Sequence, residues 1–259
     1  MGKKSNLYFF LGIFILILYI VYIFVKMYYR NRTIDIVISR YEEDLSWLKN
    51  LPIKYSNLYI YNKGTPIDNI DLPNVRIFQL PNLGRESHTY FYHVVNNYYD
   101  LADMTFFLPG SVWATKDNLN NFFKRKKLFK IIDSIKTDFK STITGSKNEV
   151  LINNIQDFTI DRHELTNEEN KKKNSDSSLE KSKYRPLKTW FTKRFPGEKI
   201  TCVSYHGTMA ATRESIHKRP IEFYKILLDE HSVKNAEVVH YSERTWHSLF
   251  SIDKCLQDE

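Results

Sequence analysis

Residues 7–25, LYFFLGIFILILYIVYIFV, form nineteen consecutive uncharged positions, nearly all Leu, Ile, Val, Phe or Tyr. At about 1.5 Å of rise per residue, a helix of that length crosses a hydrocarbon core of ~30 Å. The run exceeds the apolar region of a cleaved signal peptide and lacks a small-residue cleavage site. A retained single-pass anchor in a lipid bilayer is therefore expected. Residues 1–6 are then an N-terminal tail, 26–32 a basic juxtamembrane segment, and 33–259 the part left to fold in water. Lys3 and Lys4 precede the run, and Lys26, Arg30 and Arg32 follow it. That small imbalance leans toward a cytoplasmic C-terminal part but leaves the side of the membrane open. Ser5 stands one place early for the myristoylation pattern begun by Gly2, and the Asn31-Arg32-Thr33 glycosylation triplet lies close to the bilayer.

The remaining stretch has the length of one domain. With 42% hydrophobic residues it can build a core, which excludes a disordered chain. The 38 Lys and Arg outnumber the 30 Asp and Glu, for a formal charge of +8, and much of the excess is local. Cys202 and Cys255 have neither metal nor redox spacing, so their number does not report the compartment.

Four short segments read as strands: TIDIVIS (33–39), YSNLYIYNKG (55–64), NVRIFQL (74–80) and MTFFLPGS (104–111), each rich in β-branched or aromatic residues and several closed by turn residues. Between the third and fourth, Phe91, Val94, Val95 and Tyr98 recur with the period of one helical face. Strands alternating with helices predict an α/β domain with a mainly parallel sheet and flanking helices. Ligands of such sheets sit at loops leaving the carboxyl ends of strands, which nominates SRYEED (39–44), YNKG and LPGSVW. Residues 116–136 place Leu128, Ile131, Ile132 and Ile135 on one helical side, with Lys124, Arg125, Lys126, Lys127 and Lys130 around them. Such a helix is either a solvated basic surface or a site of attraction for anionic lipid, and no nucleic-acid signature accompanies it. Residues 166–185 are polar and charged, as in a flexible insertion. A strand, turn and short helix are expected in KITCVSYHGTMAATRESI, then a helix starting at Pro220, and a closing helix with Ser242 as its N-cap.

The turn LPNLGRE delivers opposite charges to a helix start. Gly84 permits close backbone approach, and the free N–H groups of that end attract anions. Glu86 is explained by the helix dipole alone, whereas Arg85 there is unfavourable and asks for a partner, either a ligand or another loop. Arg40, Glu42, Glu43 and Asp44 cluster after the first strand, and Lys63 follows the second. Glu243 has His240 and His247 at i−3 and i+4, which suits a metal site, a general base or a plain first-turn carboxylate.

Taken together, DIVISRYEEDLSWLKNL, IYNKG, LPNLGRESHTYFYHVVNNYYDLADMTFFLPGS and TMAATRESIHKRPIEFYKILL with EVVHYSERTWHSLF resemble an uncharacterised domain family of fungi and giant DNA viruses. That family is in turn similar to GT-A-type glycosyltransferases, which have a Rossmann-like sheet. The resemblance covers about residues 33–113 and 200–253. It implies a nucleotide-sugar donor site at Arg40, Tyr41, Glu42, Asp44 and Lys63, with Gly84, Arg85, Glu86 and His88 nearby. It also implies Glu243 as the acidic residue that activates an acceptor, beside Arg244. GT-A enzymes usually hold a divalent metal on an Asp-x-Asp pair, but FFLPGSVW has no acid at the corresponding place. Transfer would then be metal-independent, with Arg85, Lys63 or the basic helix neutralising the leaving diphosphate. The alternative is a non-catalytic membrane-surface scaffold that gathers anionic partners on the basic helix. A third is a metal-dependent hydrolase built on His240, Glu243 and His247.

Overall fold

A computed structural model describes residues 10–23, 32–67, 70–113, 119–160 and 179–257. It divides into an N-terminal unit ending at Thr33 and a second from Ile34 onward. Residues 10–23 of the first unit are helical, with every side chain exposed. Among the described residues no helix is long and apolar enough to cross a membrane. The ends of the 7–25 run, the tail 1–6 and most of 26–32, including Asn31, lie outside the described residues.

The second unit is built on a mixed sheet. Its strands are β1 (Ile34–Arg40), β2 (Asn57–Asn62), β3 (Val75–Gln79), β4 (Met104–Pro109), β5 (Thr142–Gly145), β6 (Met209–Thr212) and β7 (Lys254–Gln257). They lie in the order β3-β2-β1-β4-β6-β5-β7. The first four are parallel neighbours, and β5 is parallel to β7. β6 runs antiparallel to both β4 and β5.

Side chains alternate across this sheet because the strand period is two. Ile36, Ile38, Leu58, Ile60, Phe106 and Leu108 enter one core layer with Trp47 and Leu48. Helix α2 (Leu119–Asp138) closes that layer with Leu128, Ile131, Ile132 and Ile135, each at most 3% exposed. Val37, Tyr59, Tyr61 and Phe107 enter the opposite layer. There they meet α1 (Arg85–Asn97), α6 (Ile221–Glu230) and α7 (Val238–Leu249) through Phe91, Val94, Tyr224, Trp246 and Phe250. Three shorter helices also lie among the described residues: α3 (Glu149–Asn154), α4 (Leu187–Arg194) and α5 (Arg213–His217). Covering both faces is what parallel strands require, since their hydrophobic side chains point both ways.

The chain moves outward from β1 through β2 to β3, then returns through α1 to β4 on the other side of β1. That reversal opens a crevice between the carboxyl ends of β1 and β4. The antiparallel β6 has a consequence that the sequence pattern did not show. Met209 pairs with Phe107 near the end of β4, so the segment entering β6 arrives at the same end of the sheet as the loops leaving β1, β2 and β4.

Two expectations are corrected. Residues 166–178 of the expected insertion lie outside the described residues, but 179–185 are tied down: Glu180 bridges Ala236, and Glu237 accepts from Ser182 N and Arg185 Nε. Ser242 is no N-cap; it is buried inside α7, which begins at Val238.

Candidate functional site

The site starts with a buried cation. Lys63, directly after β2, is 7% exposed, and its ammonium donates to Leu83 O at 2.7 Å and to Arg85 O. Desolvation lowers its pKa to about 7, although the Glu86 charge works in the other direction. The turn above it is left-handed at two successive residues, Gly84 (φ +50°) and Arg85 (φ +48°). A methyl group on Gly84 would overlap the carbonyl oxygen of His231, so only glycine fits. Arg85 has a Cβ and takes this conformation at a cost of roughly 1–2 kcal/mol. Lys63 accepts the burden by binding the Arg85 carbonyl, and Gly84 N donates to Val233 O at 3.1 Å to fix the other side.

The packing of α1 on α7 sets what Arg85 meets. Tyr90 and Phe91 pack on Trp246 with ring centroids 5.7 and 6.0 Å apart. Glu86 stands one turn before Tyr90, and Glu243 three residues before Trp246, so this contact directs both carboxyl groups to one place. Arg85 Nη1 lies 3.6 Å from Glu243 Oε1, His240 Nδ1 is 3.3 Å from Glu243 Oε2, and Arg244 Nη1 is 3.8 Å from the same oxygen. Desolvation pushes the Glu243 carboxyl up, but the His240 contact and the two guanidinium groups outweigh it and hold the group below the usual carboxylate range. Glu86 moves the opposite way: desolvation first, then the neighbouring Glu243 charge, raise it. Its side chain lies against the loop entering β6, where a Cβ on Gly207 would stand 2.8 Å from Glu86 Cγ. Tyr90 Oη holds that loop by donating to Gly207 O at 2.6 Å. Two adjacent carboxyls, one held below the usual carboxylate range and the other pushed above it, form the usual equipment of acid–base chemistry.

The loop after β1 divides its charges between two tasks. Arg40 donates to Glu43 O, Tyr41 O, Asn62 Oδ1 and Thr65 O, at 2.9, 3.1, 2.5 and 3.2 Å. Glu42 accepts from Thr65 N and Oγ1, and Tyr41 N donates to Glu43 Oε2 at 2.7 Å. Asp44 accepts from Ser46 Oγ at 2.6 Å and from Ser46 N at 2.9 Å, hydrogen bonds that hold its carboxyl below the usual range. Of the residues expected at the donor site, Arg40 and Glu42 thus tie the β1 loop to the β2 loop, while Tyr41 and Asp44 hydrogen-bond within the β1 loop. Glu43 differs: it packs on Gly110 after β4, where a Cβ would stand 2.9 Å from Glu43 Oε2. Lys124 of α2 is 3.5 Å from Ser111 Oγ, and both Glu43 and Glu86 favour its charge while burial opposes it.

Of the remaining predicted residues, His88 is buried in α1 and held neutral: burial, then the Lys63 charge, lower it to about 4. Arg244 is clamped beside the site with its guanidinium 3.7 Å from the Phe158 ring centroid and 5.1 Å from that of Tyr205. His240 and Glu243 touch, but His247 faces the charges of Lys147 and Asp253 instead. Among the described residues no group of three or more His, Cys, Asp or Glu side chains is placed to hold a metal ion. Ser242 belongs to the scaffold. His231 Nδ1 donates to Leu227 O at 2.6 Å, so its Nε2 accepts from Ser242 Oγ at 2.8 Å.

The structure thus brings together Lys63, Gly84, Arg85, Glu86, Glu243 and Arg244. Glu43 of the acidic cluster, Lys124 of the basic helix and His240 join them, and the Gly207 loop is added, which the sequence did not single out. Lys124 carried one usable signal: it lies four residues before Leu128 and so shares the sheet-facing side of α2.

Among curated proteins none matches the chain. A family model described as "Protein of unknown function (DUF3431)" matches residues 36–259, all but two residues of the α/β unit, and the chain belongs to that family.

Proposed function

We propose that the chain is a membrane-anchored, GT-A-like glycosyltransferase that moves a sugar from a nucleotide-sugar donor to an acceptor hydroxyl. The observation that carries this is the meeting of Arg85 and Glu243, 3.6 Å apart, at the carboxyl end of the sheet. The β3-β2-β1-β4 half has the strand order of a mononucleotide-binding unit, which supports a nucleotide there. Glu243 is the base, and Arg85 contacts phosphate through its planar fork. Their ion pair links binding to chemistry. Until a phosphate engages Arg85, His240 and the Arg85 and Arg244 guanidinium groups keep Glu243 weakly basic, and of these the Arg85 charge is the one a phosphate can engage. Engagement draws that charge away and lets the carboxylate take the acceptor proton, a role worth about 10²–10⁴-fold in rate.

The apolar run at 7–25 supplies the anchor. A Cys202–Cys255 disulfide favours an oxidising compartment for the α/β unit, against the slight lean of the basic flanks. The test is calorimetric or ligand-observed NMR titration of the whole chain in detergent with the common nucleotide-sugars. Donor binding that weakens in Arg85→Ala is expected, and no binding to any of them removes the proposal.

A second reading has its own observation. Phe122 and Phe123 are 54% and 47% exposed beside the Lys124–Lys127 basic run, as in a surface that sits on anionic lipid. Sedimentation with anionic liposomes that collapses with salt, in a protein indifferent to nucleotides, would favour a scaffold.

A further inference from the structure

The crevice between the carboxyl ends of β1 and β4 has one wall from each strand's loop and a third from α2. Glu43 forms the first, pressed on the Gly110 backbone of the second. Ser111 continues the second wall, and Lys124 reaches it from α2 at 3.5 Å. The direction of Lys124 is fixed by packing. Leu128, Ile131, Ile132 and Ile135 hold one side of α2 against the sheet, and Lys124 extends that side by one turn. The Ser111 contact sets the ammonium at the carboxyl end of β4, where the charges of Glu86 and Glu43 favour its protonated form while burial opposes it. The loop after β4 offers Pro109, Gly110 and Ser111, none of them a carboxylate ligand for a hard cation.

A diphosphate brought to this crevice carries several negative charges, and its neutralisation falls to whatever cations line the walls. We propose that Lys124, acting with Arg85, is the clamp for the diphosphate of a nucleoside-diphosphate ligand, standing where a divalent ion would otherwise be needed, with Ser111 beside the ammonium at the end of β4. The proposal rests on the nucleotide-sugar reading and deepens it. In the transfer step the acceptor oxygen forms a bond to the anomeric carbon, and its proton goes to Glu243. The bond from that carbon to the diphosphate oxygen breaks with its electron pair on the oxygen, and Lys124 stabilises the charge that develops there.

The experiment uses the whole chain in detergent, titrated with UDP, GDP and CDP and with the matching monophosphates, in buffer containing EDTA and again with Mg²⁺. Wild type is expected to bind at least one diphosphate without metal and more tightly than its monophosphate. Lys124→Met should weaken diphosphate binding about tenfold, leave monophosphate binding nearly unchanged and keep the wild-type melting temperature. Lys124→Arg should restore most of the loss. Diphosphate binding by Lys124→Met with wild-type affinity, or binding by wild type that requires Mg²⁺, would overturn the clamp while leaving nucleotide recognition intact. Failure of wild type to bind any of the diphosphates would overturn both.

Discussion

The two ends of the sheet treat polar groups in opposite ways. At the end away from the crevice, Ser141 Oγ bonds Thr212 Oγ1 at 3.0 Å and donates to Ser215 Oγ at 2.7 Å. Thr212 N donates to Ser141 Oγ at 2.8 Å, and Asp253 accepts from Ser141 N and Ser215 Oγ. Hydroxyls and one carboxylate satisfy each other there, and Thr212 caps α5 through Ser215 N. At the crevice end the backbone is left-handed at two residues, an ammonium is buried, and neighbouring carboxyls are pushed in opposite directions. A satisfied network stabilises a fold, whereas charges held in conflict have use only when something else arrives to relieve them. The first end reads as scaffold and the second as site.

Substitutions at each end should break that contrast, and the largest effect belongs to the base. Glu243→Gln should lower transfer about 10²–10⁴-fold, measured as sugar transferred from the donor that binds, with little change in melting temperature. Unchanged transfer would make Glu243 a structural residue like Asp253. Next comes the clamp on the β7 edge. The disulfide spans 53 residues of sequence, and its replacement by Cys202→Ser with Cys255→Ser should cost about 2–4 kcal/mol in urea unfolding while sparing ligand binding.

Lys63→Met should cost about 2–3 kcal/mol, because two carbonyls of the strained turn lose their donor. It should also change the pH dependence. Lys63 has a folded pKa of about 7, below its unfolded value, so the unfolded chain binds more protons between there and its ordinary range. Its contribution to stability therefore rises with pH above 7, and urea midpoints of wild type and Lys63→Met compared across pH 6–9 should diverge accordingly.

The smallest effects are the sharpest comparison, because they have opposite signs. Ser215→Ala at the quiet end should destabilise by about 1 kcal/mol at every pH. Glu86→Gln should stabilise by up to about 1 kcal/mol, some 2–4 °C, at pH 8 and by nothing near pH 4. The sign follows from the raised folded pKa of Glu86: its stability is present while the carboxyl is protonated and is lost as pH rises through that value. Equal responses at the two ends would remove the distinction between scaffold and site.

Much of the scaffold was legible. The alternation of Ile36, Val37 and Ile38, and the spacing of Leu128, Ile131, Ile132 and Ile135, specify which core layer each side chain enters, and the structure buries them all. The site was legible only in part. The oddity of Arg85 was visible, since a cation at a helix start lacks a local reason, but its partner Glu243 was not. The acidic cluster after β1 was legible as a group of charges, but not its bonds: Glu42 accepts from Thr65 N after β2, and Glu43 accepts from Tyr41 N within its own loop.

Sequence by itself determined the segments that become strands and helices, the faces they bury, and the apolar run at 7–25. These depend on periodicity over a few residues, which the chain carries locally. Tertiary structure alone decided that β6 runs antiparallel and brings the Gly207 loop to the crevice, that Cys202 meets Cys255, that Lys124 reaches Ser111 after β4, and that Arg85 meets Glu243. Those outcomes depend on strand order and on the packing of Tyr90 and Phe91 against Trp246, contacts between distant segments that exist only after both core layers have closed.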